Sequence, residues 1–233
     1  KTKLAAIEAK WDTHPAPAPF TLFGIPNKET MTTGYAVNIP YVMGLIATRS
    51  LDKEVTGIKD LIVQHEDRIR NGMVAYSQLE KLRACETSPE LKAAFAETQK
   101  DLCYGLLLKK YTPNVVDASE DQIKSAAKDT IPHVPSVFWA FRAMFVSGFL
   151  MLLLFALATF AVAIRNAESK PWLLKFALLA LPLPWIAAQT GWYVAEVGRQ
   201  PWTIGEVLPT HLSASSLSTG DVWGSIIALA SFY

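Results

Sequence analysis

The 233-residue sequence is poor in cysteine, nearly neutral overall and free of basic blocks. Its two cysteines, Cys85 and Cys103, set no disulfide framework. A helical reading places Cys85 near a turn at Ser88 and Cys103 far from it, which disfavours pairing and leaves two half-buried thiols. A net charge of +1 argues against a nucleic-acid partner. No signal-peptide pattern opens the chain, no repeat recurs along it, and no strong strand alternation is present. The histidines His14, His65, His133 and His211 all lie outside the long apolar runs, so none is assigned to a buried iron, and each is read as solvent-exposed.

Charge is also missing locally. Ala143–Ile164 and Phe176–Ala195 contain no charged residue, and each is near the ~20 residues that a spanning helix needs. Pro182 and Pro184 predict a kink in the second run. A third apolar run starts near Asp221. Arg165, Lys170 and Lys175 crowd the connection between the first two, which puts that loop in the cytoplasm and the polar half on the other side. The expected organisation is a hydrophilic, extracytoplasmic region over residues 1–135, then a transmembrane region over 136–233. Spans are expected at about 137–164, at 172–195 and from about 221, where the last is cut off. The expected fold is all-α, an integral membrane helical bundle carrying a mostly helical hydrophilic loop domain. The chain begins within a motif and stops within an apolar run, so it is expected to be an internal piece of a longer protein.

In the polar half, Leu4, Ile7 and Trp11 predict a short amphipathic helix over Thr2–Trp11. The prolines of HPAPAPF end it in extended chain. Thr21–Thr48 has no clean period and reads as irregular but ordered. Helices are expected over Gly57–Arg70, Met73–Cys85 and Pro89–Lys110, the last opened by Ser88 and Pro89. Ser119 and Gln122 predict a capping box for a helix reaching about Thr130.

Ionisable residues at a membrane edge are the candidate site. Trp192, Glu196 and Arg199 share one face of a helix that Pro201 ends. An acid, a base and a large aromatic on one stripe suit a charged, flat cofactor. The bland reading is an interfacial belt and a headgroup anchor. Arg142 and Met144 supply a guanidinium and a thioether, which suit a haem propionate and a haem iron. They are equally compatible with a snorkelling cation and core packing. Lys3 and Glu8, five residues apart, read from spacing alone as a solvated face.

GWYVAEVGRQPWTIGEVLPT (Gly191–Thr210), KLAAIEAKWDTHPAPAPFTLFGIP (Lys3–Pro26), KDLCYGLLLKKYTPNV (Lys100–Val115) and FWAFRAMFVSGF (Phe138–Phe149) together resemble subunit I of the bacterial cytochrome bd quinol oxidases. The resemblance is collinear over essentially the whole chain and is of the long-loop type. It implies an oxidoreductase of the bacterial inner membrane that oxidises quinol, reduces dioxygen to water, and works with subunit II and small accessory subunits among membrane lipid. It implies a low-spin haem b, a high-spin haem b and a haem d. By the same resemblance Met144 is an axial ligand of the low-spin haem and Arg142 lies beside that haem. Glu196, a possible iron ligand, belongs with Arg199 to the high-spin haem region, and Trp192 lies between the haems. Lys3 and Glu8 match the lysine and glutamate of quinol oxidation, and residues 1–135 would be periplasmic. The rival reading is a haem-free, membrane-anchored helical protein for binding or assembly.

Overall fold

A computed structural model describes residues 1–43, 54–84, 88–164 and 170–232. Its helices are α1 (Thr2–Ile7), α2 (Ile58–Arg83), α3 (Pro89–Thr98), α4 (Leu102–Leu106), α5 (Glu120–Asp129), α6 (Val134–Ala163), α7 (Pro171–Leu179), α8 (Leu183–Val197) and α9 (Thr219–Phe232). The chain is mostly helical, but the all-α expectation needs correcting. Strands β1 (Phe20–Asn27) and β2 (Thr32–Ile39) form an antiparallel hairpin, and β3 (Trp202–Ile204) pairs with β4 (Leu208–Pro209). Register shifts between Thr21 and Phe23 and between Phe23 and Ile25 interrupt the first hairpin. Each shift breaks the inside–outside alternation, so no period of two was visible. Its turn is held by Asn27, whose Oδ1 accepts from the Glu29 and Thr30 backbone N–H groups.

Two other expectations change for one shared reason. The helices expected over Gly57–Arg70 and Met73–Cys85 are a single helix, α2, of 26 residues. Conversely, the stretch expected as one helix over Pro89–Lys110 is α3, a 3₁₀ turn (Gln99–Asp101), α4 and a second 3₁₀ turn (Leu107–Lys110). The two segments cross at Gly72 and Gly105. A Cβ on Gly72 would lie 2.3 Å from the Gly105 nitrogen, so the glycine is there for backbone contact and does not end the helix. Cys103 sits half-buried on α4, whereas Cys85 lies outside the described residues. The cap at Ser88, which accepts from Leu91 N–H at 3.1 Å, and the Ser119–Gln122 capping box both form as expected.

Two stretches, one ending at Ala163 and one over Pro171–Val197, are long and apolar enough to cross a membrane, and little of either is buried within the chain. The second is broken at Ala180–Pro182, between α7 and α8. The polar half sits on their ends. Ala5, Ala6, Ala9 and Trp11 pack with Ile58 and Leu61 of α2 and with Val134 and Phe138 of α6. Ile7 fits between Val137 of α6 and Val194 of α8. Trp202, which follows α8, is buried in a second core with Ile69, Tyr104, Leu108 and Ile123. The polar half therefore holds both sides of the α6–α8 pair.

Candidate functional site

The first cluster forms where α1 ends. Ala9 adopts a left-handed conformation (φ 48°). Lys10 N–H returns to the Ala5 carbonyl and Ala9 N–H to that of Ala6, the paired bonds of a Schellman ending. Glycine is the usual residue at that position, so alanine there carries strain. The turn leaves Glu8 and Lys10 buried, at 1% and 4% exposure. Glu8 pairs with Arg142 of α6 at 3.1 Å and accepts from Thr21 N–H at 3.2 Å. Arg142 also donates to the carbonyls of Ile7, Thr21 and Phe138, and its guanidinium lies 3.6 Å from the Phe138 ring centroid. Its Nε is the one buried polar side-chain atom without a partner among the described residues. Burial pushes the Glu8 carboxyl up, against the Arg142 charge, the Thr21 N–H bond and the Lys10 charge. Burial pushes the Lys10 ammonium down, against the Glu8 charge.

Met144 follows Arg142 by two positions, roughly 200° around the helix, so the two point to different neighbours. Met144 faces α8, where a Cβ on Gly191 would lie 3.1 Å from its sulfur. Glycine at 191 keeps that sulfur from being crowded out. Trp192, next along, is exposed, and with Tyr193, Gln189, Thr190, Ser136 and Ala140 it lines a shallow groove of about 430 Å³ between α6 and α8.

The second cluster lies at the end of α8. Glu196 and Arg199 form an ion pair three residues apart with side chains 36% and 45% exposed. Lys3 lies across Gly198 and, with Arg199, Gln200, Trp202, Glu206 and Tyr104, lines a cavity of about 150 Å³. Behind it, Arg68 of α2 donates to Asp101 and to Glu206, each at 2.7 Å, and stacks 3.9 Å over the Tyr104 ring. Burial pushes the Tyr104 hydroxyl well above its ordinary value. His65 is 5% exposed, contrary to the solvent-exposed reading of the histidines. Thr130 Oγ1 already donates to the Ala127 carbonyl, so it accepts from His65 Nδ1 at 2.6 Å. Burial, aided by the Arg68 charge, pushes His65 down to about 4.

The structure thus regroups the residues singled out by sequence. Glu8 joins Arg142, whereas Lys3 joins Arg199. Met144 and Trp192 lie along the α6–α8 seam. Sequence reasoning missed Lys10, Thr21, Arg68, Asp101 and Tyr104. A signal was available for part of this, because a lone arginine entering an apolar run needs a buried carboxylate. No group of three His, Cys, Asp or Glu side chains suited to a metal ion occurs among the described residues.

A polar helical body seated by a buried ion pair on two apolar helices, with further charges at their rim, defines a helical membrane protein. The family model described as cytochrome bd terminal oxidase subunit I matches residues 1–233, and this chain belongs to that family. It is 38% identical over 231 residues to cytochrome bd-II ubiquinol oxidase subunit 1 of Escherichia coli (strain K12), covering 99% of this chain and 45% of that protein. It is 23% identical over 232 residues to cytochrome bd ubiquinol oxidase subunit 1 of Bacillus subtilis (strain 168), covering 99% of this chain and 38% of that protein. The chain spans less than half the length of these relatives.

Proposed function

We propose that this chain forms part of a terminal respiratory oxidase that oxidises quinol and reduces dioxygen to water in the bacterial inner membrane. It does so together with subunit II and small accessory subunits. Residues 1–135 lie on the outer face, because Lys170 and Lys175 flank the connection between the spans. The observation that carries the reading is the Glu8–Arg142 pair. It joins a buried, proton-accepting carboxylate to the membrane helix that bears Met144.

Quinol oxidation releases two protons with two electrons, so the site needs a base and an electron acceptor close together. Glu8 takes a hydroxyl proton. Its raised proton affinity brings it nearer to working pH, where a general base is most effective. Lys3, in its own cavity beside Arg199, orients the head group or balances the charge left behind. The residues present fit haem. The orphaned Arg142 Nε–H is a donor that an anionic acceptor such as a propionate would satisfy, and the Met144 thioether would be a soft ligand for low-spin haem b iron. Glu196, Arg199 and Trp192 would hold the high-spin haem b and haem d, with the half-exposed Glu196 carboxylate available to ligate iron. When bound, the haems supply electron transfer and dioxygen reduction.

The test compares two donors in the assembled oxidase. Glu8→Gln and Lys3→Ala should each lower quinol-driven oxygen uptake at least tenfold (about 1.4 kcal/mol). Uptake with an artificial donor that bypasses the quinol site should persist. Equal loss with both donors would make the α1 segment structural. Met144→Leu should remove the low-spin haem spectrum while the protein still inserts, and an unchanged reduced spectrum would return Met144 to packing.

A further inference from the structure

Three charged side chains are buried where α1 meets α6, and the proposed reaction uses two of them. The third, Lys10, is 4% exposed. Its ammonium donates to Thr21 Oγ1 at 3.1 Å, and that hydroxyl donates to Asn38 Oδ1 at 3.0 Å. Thr21 N–H donates to Glu8, and the Thr21 carbonyl accepts from Arg142. Every polar group of Thr21 is therefore engaged, and Lys10 holds it from behind. Among the described residues no carboxylate pairs directly with Lys10. A buried ammonium without a direct counter-ion is expensive. So is the left-handed Ala9 that turns Lys10 inward. Two costly features on adjacent residues, both aimed at one carboxylate, call for a functional explanation.

We propose that Lys10 is a positioning residue of the quinol-oxidising site: by fixing Thr21 and adding a second cation to the cluster, it holds Glu8 as an ionised proton acceptor. The inference rests on the quinol reading of Glu8. One carboxylate with two cations leaves the cluster with an excess positive charge. That excess favours ionised Glu8 and the loss of a proton from bound quinol. The proton passes from a quinol hydroxyl to a Glu8 carboxylate oxygen, and Lys10 gains and loses none. The groups around Lys10 are Glu8 at the C-terminal cap of α1, His14 with Asp12 beside it, Arg142 on α6, and the neutral Thr21 and Asn38 of the hairpin. Lys10 is thus one of two cations, with Arg142, that bear on Glu8.

The experiment uses Lys10→Met, Lys10→Gln and Lys10→Arg in the full oxidase complex, with Glu8→Gln in parallel. Quinol-driven oxygen uptake is followed against pH, and the bypassing donor and the haem spectrum report assembly. Lys10→Met and Lys10→Gln should move the acid limb of the quinol rate up by roughly one pH unit. They should lower kcat below that limb and leave KM and the bypass rate near wild type. Lys10→Arg should restore the wild-type limb. Infrared difference spectra should show a protonated Glu8 carboxyl persisting to higher pH in Lys10→Met. If Glu8→Gln lowers quinol turnover but the limb of Lys10→Met does not move, the role of Lys10 is overturned and the quinol reading stands. If Glu8→Gln has no effect on quinol turnover, both fall. A shift in Lys10→Met but not in Lys10→Gln would assign the effect to the hydrogen bond and overturn the charge. Failure of both neutral variants to assemble would show Lys10 to be structural and overturn the proposal.

Discussion

Two glutamate–arginine pairs of the same chemistry stand at the same end of the α6–α8 pair, in opposite environments. Glu8 and Arg142 have side chains 1% and 6% exposed, come from elements far apart in sequence, and are wrapped by carbonyls and aromatic rings. Glu196 and Arg199 are one helical turn apart and 36% and 45% exposed. Water shares the work of the second pair, so its members can be parted for a bound group at little expense. The first pair has no such reserve, and losing either partner strands a charge in a dry site. A fixed proton acceptor belongs in the first setting, whereas groups that must turn toward a ligand belong in the second.

The largest expected effect breaks the buried pair. Arg142→Met leaves Glu8 without its main counter-charge and strips donors from three carbonyls, so stability should fall by about 3–5 kcal/mol. Assembly yield and thermal melting of the complex measure this. A loss below about 1 kcal/mol would mean the pair is as solvated as the one at the rim.

His65 sharpens the comparison, since it is buried like Glu8 but feels the like charge of the Arg68 cation more than the opposite charge of Glu206. Its folded pKa, about 4, lies below the ordinary value of 6.5, so the unfolded chain binds the extra proton between those values. Its contribution is therefore complete above pH 6.5 and is lost as pH falls toward about 4, by up to about 3 kcal/mol. Melting curves at pH 7, 5.5 and 4.5 for wild type and His65→Gln isolate it, because the gap between the two proteins should close on acidification. A constant gap would show that His65 titrates alike in the folded and unfolded chains.

The smallest effect concerns the rim. Glu196→Gln should change melting by less than about 1 kcal/mol, while any loss of the high-spin haem signals should be out of proportion to that change. A large drop in stability with the spectra intact would make the pair structural and remove it from the haem site.

Much of this was legible in the chain itself. Uncharged runs declared the two long apolar helices, because a backbone in hydrocarbon must satisfy its own hydrogen bonds and its side chains must be apolar. Ser88 and Ser119 declared helix starts, because a cap acts within one turn. The four motifs declared the family. The bulged hairpin, the unbroken α2 and the split after α3 were not legible. A bulge shifts the alternation, and Gly72 reads the same whether it ends a helix or admits Gly105.

The sequence alone determined what acts over a few residues: apolar length, helix starts, and an arginine at the edge of an apolar run that had to find an acid. Only the tertiary structure decided which acid that was. The left-handed turn at Ala9 and the docking of β1 against α6 bring Glu8 and Lys10 around Thr21 and Arg142, while Lys3, on the same short helix, is carried to Arg199. Partners more than 120 residues apart are chosen by how helices pack and by which charges are left dry. Neither is written in spacing, because both depend on surfaces that exist only once the chain has folded.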